Sequence, residues 1–159
     1  MTRSFCLLCV AALVMAAAVA SSTEEYTLRP VGMVIKQKGK VILQVQPAYE
    51  KALLGLDRFS HVIVFYWFDR NDTAEKRSVL GVHPRRDPRN PLTGVFATRS
   101  PVRPNLIGFT VCRIKSVEGR SILVDKIDAF DRSPILDLKP YIPGSDCVAD
   151  AKTPEWVSK

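Results

Sequence analysis

His61-Val62-Ile63-Val64-Phe65-Tyr66-Trp67-Phe68 is the run that decides the fold class. It is β-branched and aromatic, too short for a helix with so little polar relief, and so reads as a strand. Apolar side chains at nearly every position predict cover on both faces and a central place in the sheet. Upstream, Val31, Met33 and Ile35 alternate with Gly32 and Val34, and Val41, Leu43 and Val45 alternate with Ile42, Gln44 and Gln46. These are two further strands, joined by a turn at Lys38-Gly39-Lys40 and ended by Pro47. Residues 49–54 predict a short helix stopped at Gly55. Downstream, residues 69–77 are charged and read as an exposed loop. Residues 107–117 and 121–127 read as strands around Glu118-Gly119-Arg120, a hairpin turn whose glycine tolerates positive φ. Residues 134–138 make a short extended piece. Repeated short strands with turn signals predict a mainly β domain, a barrel or a sandwich.

Between the strands lies a long basic loop, residues 81–104. It holds Pro84, Pro88, Pro91, Pro101 and Pro104 with Arg85, Arg86, Arg89, Arg99 and Arg103. Prolines at that density exclude a regular helix. Residues 94–97 read as a short strand inside it. A loop of this length in a compact domain is functional or disordered, and its apolar residues speak for function.

The 159 residues suffice for one domain with one core; 47% are hydrophobic and 25% charged. The formal net charge is +7 and the isoelectric point about 9.4. Such an excess favours an anionic partner such as nucleic acid, although it also serves solubility alone. Residues 1–20 read as a signal peptide: Arg3 forms the positive start, residues 5–20 the apolar run, and Ala18-Val19-Ala20 the small-x-small cleavage pattern. The expectation is export, to the periplasm or outside the cell. An uncleaved leader would instead be a membrane anchor, and an unused one would leave the protein cytoplasmic. Residues 147–159 are polar and read as a loose tail. Cys112 and Cys147 remain in the mature chain, either as one disulfide or as two unrelated thiols with Cys112 packed in a strand. Cys6 and Cys9 leave with the leader, and the mature chain has no CxxC pair and no zinc-like spacing, so no metal is expected.

Three blocks carry a resemblance. The first is Gly55-Leu56-Asp57-Arg58-Phe59-Ser60-His61, running into the strand that ends Trp67-Phe68. The second is Gly94-Val95-Phe96-Ala97-Thr98-Arg99-Ser100-Pro101-Val102-Arg103-Pro104-Asn105, followed by Ile107-Gly108. The third is Asp128-Ala129-Phe130-Asp131-Arg132-Ser133-Pro134-Ile135-Leu136-Asp137-Leu138-Lys139-Pro140-Tyr141. In this order they resemble the TsaA-like family, which includes the bacterial tRNA threonylcarbamoyladenosine methyltransferase, over residues 26–146. The resemblance implies a single small closed β-barrel, often a homodimer, that binds S-adenosylmethionine as methyl donor and methylates the N6 nitrogen of threonylcarbamoyl-adenosine in tRNA. The alternative is an exported barrel that binds adenosylmethionine or a nucleotide without catalysis. Departures from the family's pattern are Arg85 after His83-Pro84, Leu106 in place of a proline, and Arg132-Ser133 in place of Gly-Thr. Arg132 is not expected to take readily the positive φ that glycine accepts.

Methyl transfer from a sulfonium needs alignment of donor and acceptor and exclusion of water. Within the resembling blocks, Phe96, Ala97, Thr98, Arg99 and Ser100 are the candidates for the donor, with Asp137 and Lys139. Arginine suits a carboxylate or phosphate through its planar fork. His83, Arg85, Arg103, Asn105 and Tyr141 are the candidates for the acceptor. A strong general base is not obligatory, but a nearby carboxylate or histidine could take the proton that N6 loses; no catalytic residue is assigned, and His83, Asp128 and Asp137 are the candidates. Asp137, Lys139 and Tyr141 alternate and so share one face, as pocket lining or with Asp137–Lys139 as a structural ion pair. His61 opens the buried strand and reads more naturally as a core histidine.

Overall fold

The computed structural model describes residues 24–157, so the leader expectation lies outside the described residues. The strands are β1 (Gly32–Gln37), β2 (Lys40–Val45), β3 (His61–Trp67), β4 (Gly81–Val82), β5 (Thr93–Gly94), β6 (Ile107–Glu118), β7 (Ser121–Val124) and β8 (Pro134–Pro140). Six of them close an antiparallel barrel in the order β1-β2-β7-β6-β3-β8, with β8 returning to β1. β4 and β5 form a separate two-stranded ribbon inside the basic loop. The mainly β expectation and the closed barrel are both met.

The alternation along each strand explains the closure. Val34, Leu43, Val45, Val62, Val64, Tyr66, Cys112, Ile122, Val124 and Ile135 all point inward and are dry. A small barrel's interior is filled by side chains in this way, each large apolar residue contributing about 1.5–3 kcal/mol. β3 is the spine, paired with β6 from His61↔Arg113 to Trp67↔Ile107 and with β8 on its other edge. It is therefore central, as expected. Its two faces differ, however: Val62, Val64 and Tyr66 are buried, while His61, Ile63, Phe65 and Trp67 are half-buried. The expectation of equal cover fails because the second face is the barrel's outer wall.

The irregular pieces also sharpen. Gly119 takes φ 55° in the β6–β7 turn, as its position requires. Residues 47–53 wind as a 3-10 rather than an α-helix, with Gly55 left-handed after it. The charged stretch after β3 is more ordered than a loop: it contains α1 (Ala74–Arg77), whose first turn is capped by the Thr73 hydroxyl accepting from Lys76 N–H. In the basic loop, strand conformation stops at Gly94, and Val95–Ala97 form a 3-10 turn. β7 ends at Val124, and β8 runs on to Pro140 before α2 (Pro143–Asp146). Both cysteines are free: Cys112 is buried in β6, where burial pushes its thiol up to about 12, and Cys147 is exposed.

Arg132 overturns one expectation: it does take the left-handed conformation, at φ 68°. Its neighbours over-determine the turn. Arg132 N–H donates to the Val34 carbonyl at 2.7 Å, and Lys36 N–H donates to Asp131 Oδ1 at 2.7 Å. The buried Ser133 donates its hydroxyl to Asp69 Oδ1 at 3.0 Å. Together these bonds outweigh a backbone cost of about 1–2 kcal/mol.

Candidate functional site

Two clefts adjoin at one end of the barrel, and the loop between β5 and β6 is their common wall. The larger, about 970 Å³, lies between the basic loop and the C-terminal tail. His83, Arg85, Phe96, Arg99 and Ser100 line it, with Trp156 opposite. The smaller, about 660 Å³, is bounded by Tyr66, Arg103, Phe109, Thr110 and Asp128. Phe96, Thr98 and Arg99 belong to both.

The loop is held open by local bonds. The 3-10 turn seats Val95 in a buried position and turns Phe96 out, 79% exposed. Thr98 closes the turn with its hydroxyl donating to Val95 O, and accepts from Ser100 N–H. The Arg103 guanidinium donates back to the Thr98 and Ser100 carbonyls. At the loop's end, Arg77 ion-pairs with Asp72 at 2.8 Å and donates to Pro104 O at 2.9 Å. Trp67 Nε1 donates to the same Asp72. The Arg77 and Trp67 bonds hold the Asp72 carboxyl below the usual carboxylate range. The Arg99 guanidinium lies 4.7 Å above the Phe109 ring, a cation–π contact that leaves its donors free for a ligand.

The smaller cleft depends on one glycine. A Cβ at Gly108 would lie 2.6 Å from Phe68 Cζ and 2.7 Å from Tyr66 Cε2. Only glycine lets these two rings pack edge-on, 5.5 Å apart, beneath the cleft floor. Burial pushes the Tyr66 hydroxyl's pKa up, so it stays protonated at neutral pH; it faces Thr110 Oγ1 at 3.4 Å. Asp128 is the one carboxylate among the residues lining either cleft.

Of the residues singled out from sequence, Phe96, Ala97, Thr98, Arg99, Ser100, His83 and Arg85 all line the larger cleft. Arg103 and Asp128 line the smaller. The His83 ring bonds the Asn90 carbonyl through Nδ1 at 2.7 Å, which leaves Nε2 free. Asn105 is exposed and lines neither cleft. Asp137 and Lys139 stand elsewhere, on the outer wall of β8, with Tyr141 just past the strand's end. Asp137 and Lys139 form an ion pair at 3.0 Å, and Tyr141 meets the His61 ring edge-on at 6.2 Å. Sequence reading missed Tyr66, Thr110 and the tail's Trp156. Tyr66 is hidden within an apolar strand. Trp156 carries a signal, a lone large aromatic in a polar tail.

Residues 19–147 match the family described as the tRNA-methyltransferase O N-terminal domain. A "Probable S-adenosyl-L-methionine-binding protein" of Methanocaldococcus jannaschii is 43% identical over 122 residues, 77% of this chain and 97% of that protein. The tRNA (adenine(37)-N6)-methyltransferase of Mus musculus is 41% identical over 99 residues, 61% of this chain and 22% of the mouse protein. The solved structure of TrmO from Pseudomonas aeruginosa superposes with a TM-score of 0.62 at 28% identity, covering 81% of this chain and 62% of that one. The chain thus spans less than two thirds of that solved chain and about a fifth of the mouse enzyme.

Proposed function

The chain belongs to the tRNA-methyltransferase O N-terminal-domain family, and from that premise we propose that it moves a methyl group from S-adenosylmethionine to the N6 nitrogen of threonylcarbamoyl-adenosine in tRNA. One observation carries the reading: two clefts share the Phe96–Thr98–Arg99 wall, so a donor in one and an acceptor in the other meet across it.

The larger cleft fits the donor. Its volume lies at the upper end of small-molecule sites, and it combines an exposed aromatic face with arginines and a hydroxyl. Bound there, S-adenosylmethionine supplies an electrophilic methyl group on a positively charged sulfur. Phe96 offers its ring to the adenine, and Arg99 and Ser100 offer donors to the methionine carboxylate. Arg103 holds the acceptor in the smaller cleft, and the exposed Arg86 meets tRNA phosphates. As the N6–methyl bond forms and the sulfur–methyl bond breaks, the electron pair stays on sulfur and the N6 proton passes to Asp128. Alignment by the shared wall supplies most of the rate.

The test is transfer of labelled methyl from S-adenosylmethionine to tRNA carrying unmethylated threonylcarbamoyl-adenosine. Label in that nucleoside, falling about 10- to 100-fold in Arg99→Ala, supports the reading. No label from the folded chain contradicts it.

Two partner statements belong to the same reading. Residues 1–20 direct export, which N-terminal sequencing of the native protein tests; an intact Met1 overturns it. The functional unit is a homodimer, as the family resemblance implies. Light scattering of the full chain reads a dimer; a monomer contradicts it.

A further inference from the structure

The C-terminal tail lies beyond the family match, which ends at residue 147, yet it builds one side of the larger cleft. After α2 the chain stays exposed to residue 153 and then turns back as a 3-10 segment, Glu155–Val157. Thr153, Pro154, Trp156 and Val157 face the cleft across from Phe96 and Arg99. A direct bond fastens the turn: Arg85 Nη2 donates to the Val157 carbonyl at 2.6 Å across 72 positions of sequence. Trp156 is half-buried, while Glu155 and Val157 on either side are exposed.

The basic loop is shaped around this contact. Arg85 and Arg86 are consecutive non-glycine residues with left-handed backbones, at φ 59° and 57°. Each such residue costs about 1–2 kcal/mol, and strain of this kind persists where surrounding structure enforces it, often at ligand sites. Here the turn directs the Arg85 guanidinium to the tail. The cleft measures about 970 Å³ with the tail in place, room enough for a nucleoside-sized ligand. The tail is therefore a wall of the cleft and not a plug.

We propose that the tail completes the binding site and that the Trp156 indole stacks on the purine of the adenosyl ligand, facing the Phe96 ring from the other side of the cleft. The proposal rests on the larger cleft being the donor site. An indole gives a purine a flat apolar face at little entropic cost, and stacking needs no hydrogen-bond partner for the base.

The experiment is calorimetric titration of the full chain, Trp156→Ala and Trp156→Phe with adenosylhomocysteine, adenosine and methionine, alongside tryptophan fluorescence. The expected result is adenosylhomocysteine and adenosine binding weakened about tenfold or more in Trp156→Ala and largely restored in Trp156→Phe. Methionine affinity stays unchanged, and a ligand-induced fluorescence change in the parent chain is lost in Trp156→Phe. Equal binding by the parent chain and Trp156→Ala overturns the stacking role and leaves the donor site standing. Tighter binding by Trp156→Ala also overturns it, making the tail an obstruction. No adenosylhomocysteine binding by the parent chain overturns both this proposal and the donor site.

Discussion

The barrel wall and the cleft loop are built on opposite principles. The wall repeats one pattern, inward residues that are mostly apolar alternating with outward ones along each strand and broken at two bulges, and its inner face is dry. The loop between β4 and β6 buries a few anchors, Pro84, Val95 and Leu106, and leaves Leu92 and Phe96 each at least two-thirds exposed. Its shape comes instead from prolines, side-chain bonds to its own backbone, and left-handed arginines. The wall therefore carries the stability, while the loop spends some of its conformational freedom on holding side chains toward solvent, where a ligand can meet them.

Core truncation is the largest break of that comparison. Leu43→Ala removes a fully buried side chain from the barrel's centre. It is expected to cost about 2–5 kcal/mol in denaturant unfolding. A loss below about 1 kcal/mol would mean that the wall does not carry the stability. Gly108→Ala sharpens the boundary, because this wall residue supports a cleft. Overpacking against Tyr66 and Phe68 is expected to cost about 1–3 kcal/mol and to weaken binding in the smaller cleft more than in the larger. Equal weakening in both would show that the clefts are not separately built.

The smaller effects concern the braces. Arg132→Gly relieves a left-handed arginine without touching a cleft-lining residue and is expected to stabilise by about 0.5–1 kcal/mol, read from the denaturation midpoint. The Asp72 brace has a pH signature. Its carboxyl is depressed in the folded chain, so its contribution is present above the unfolded pKa of about 3.9 and is lost as pH falls through the folded value. The melting-temperature gap between the parent chain and Asp72→Asn should be steady near neutrality and close below about pH 4. A gap that widens on acidification would contradict the brace.

The wall was legible because a strand's period of two survives any detail of packing. The run from His61 to Phe68 marked its spine, and Leu43, Val45 and Val62 fell inward as their alternation requires. The cleft loop has no period. Its residues were found through the Phe96–Asn105 string and the resemblance it carries, and most of them line a cleft together. Asp137 and Lys139 share a face, as alternation requires, but a bulge opposite Phe65 and Tyr66 puts that face outside although Ile135, two residues earlier, points inward. Arg132 was misjudged because local backbone preference is weak against the tertiary bonds at Val34, Lys36 and Asp69. The tail's return to Arg85 rests on one bond across 72 residues, which no local pattern announces.

The central claim is that donor and acceptor occupy separate clefts that share one wall. Its most direct test measures two affinities, for adenosylhomocysteine and for tRNA bearing threonylcarbamoyl-adenosine, in His83→Ala, Gly108→Ala and Arg99→Ala. The expected result is that His83→Ala weakens mainly the first, Gly108→Ala mainly the second, and Arg99→Ala both. If His83→Ala and Gly108→Ala weaken both ligands alike, the two clefts are one site and the claim is wrong.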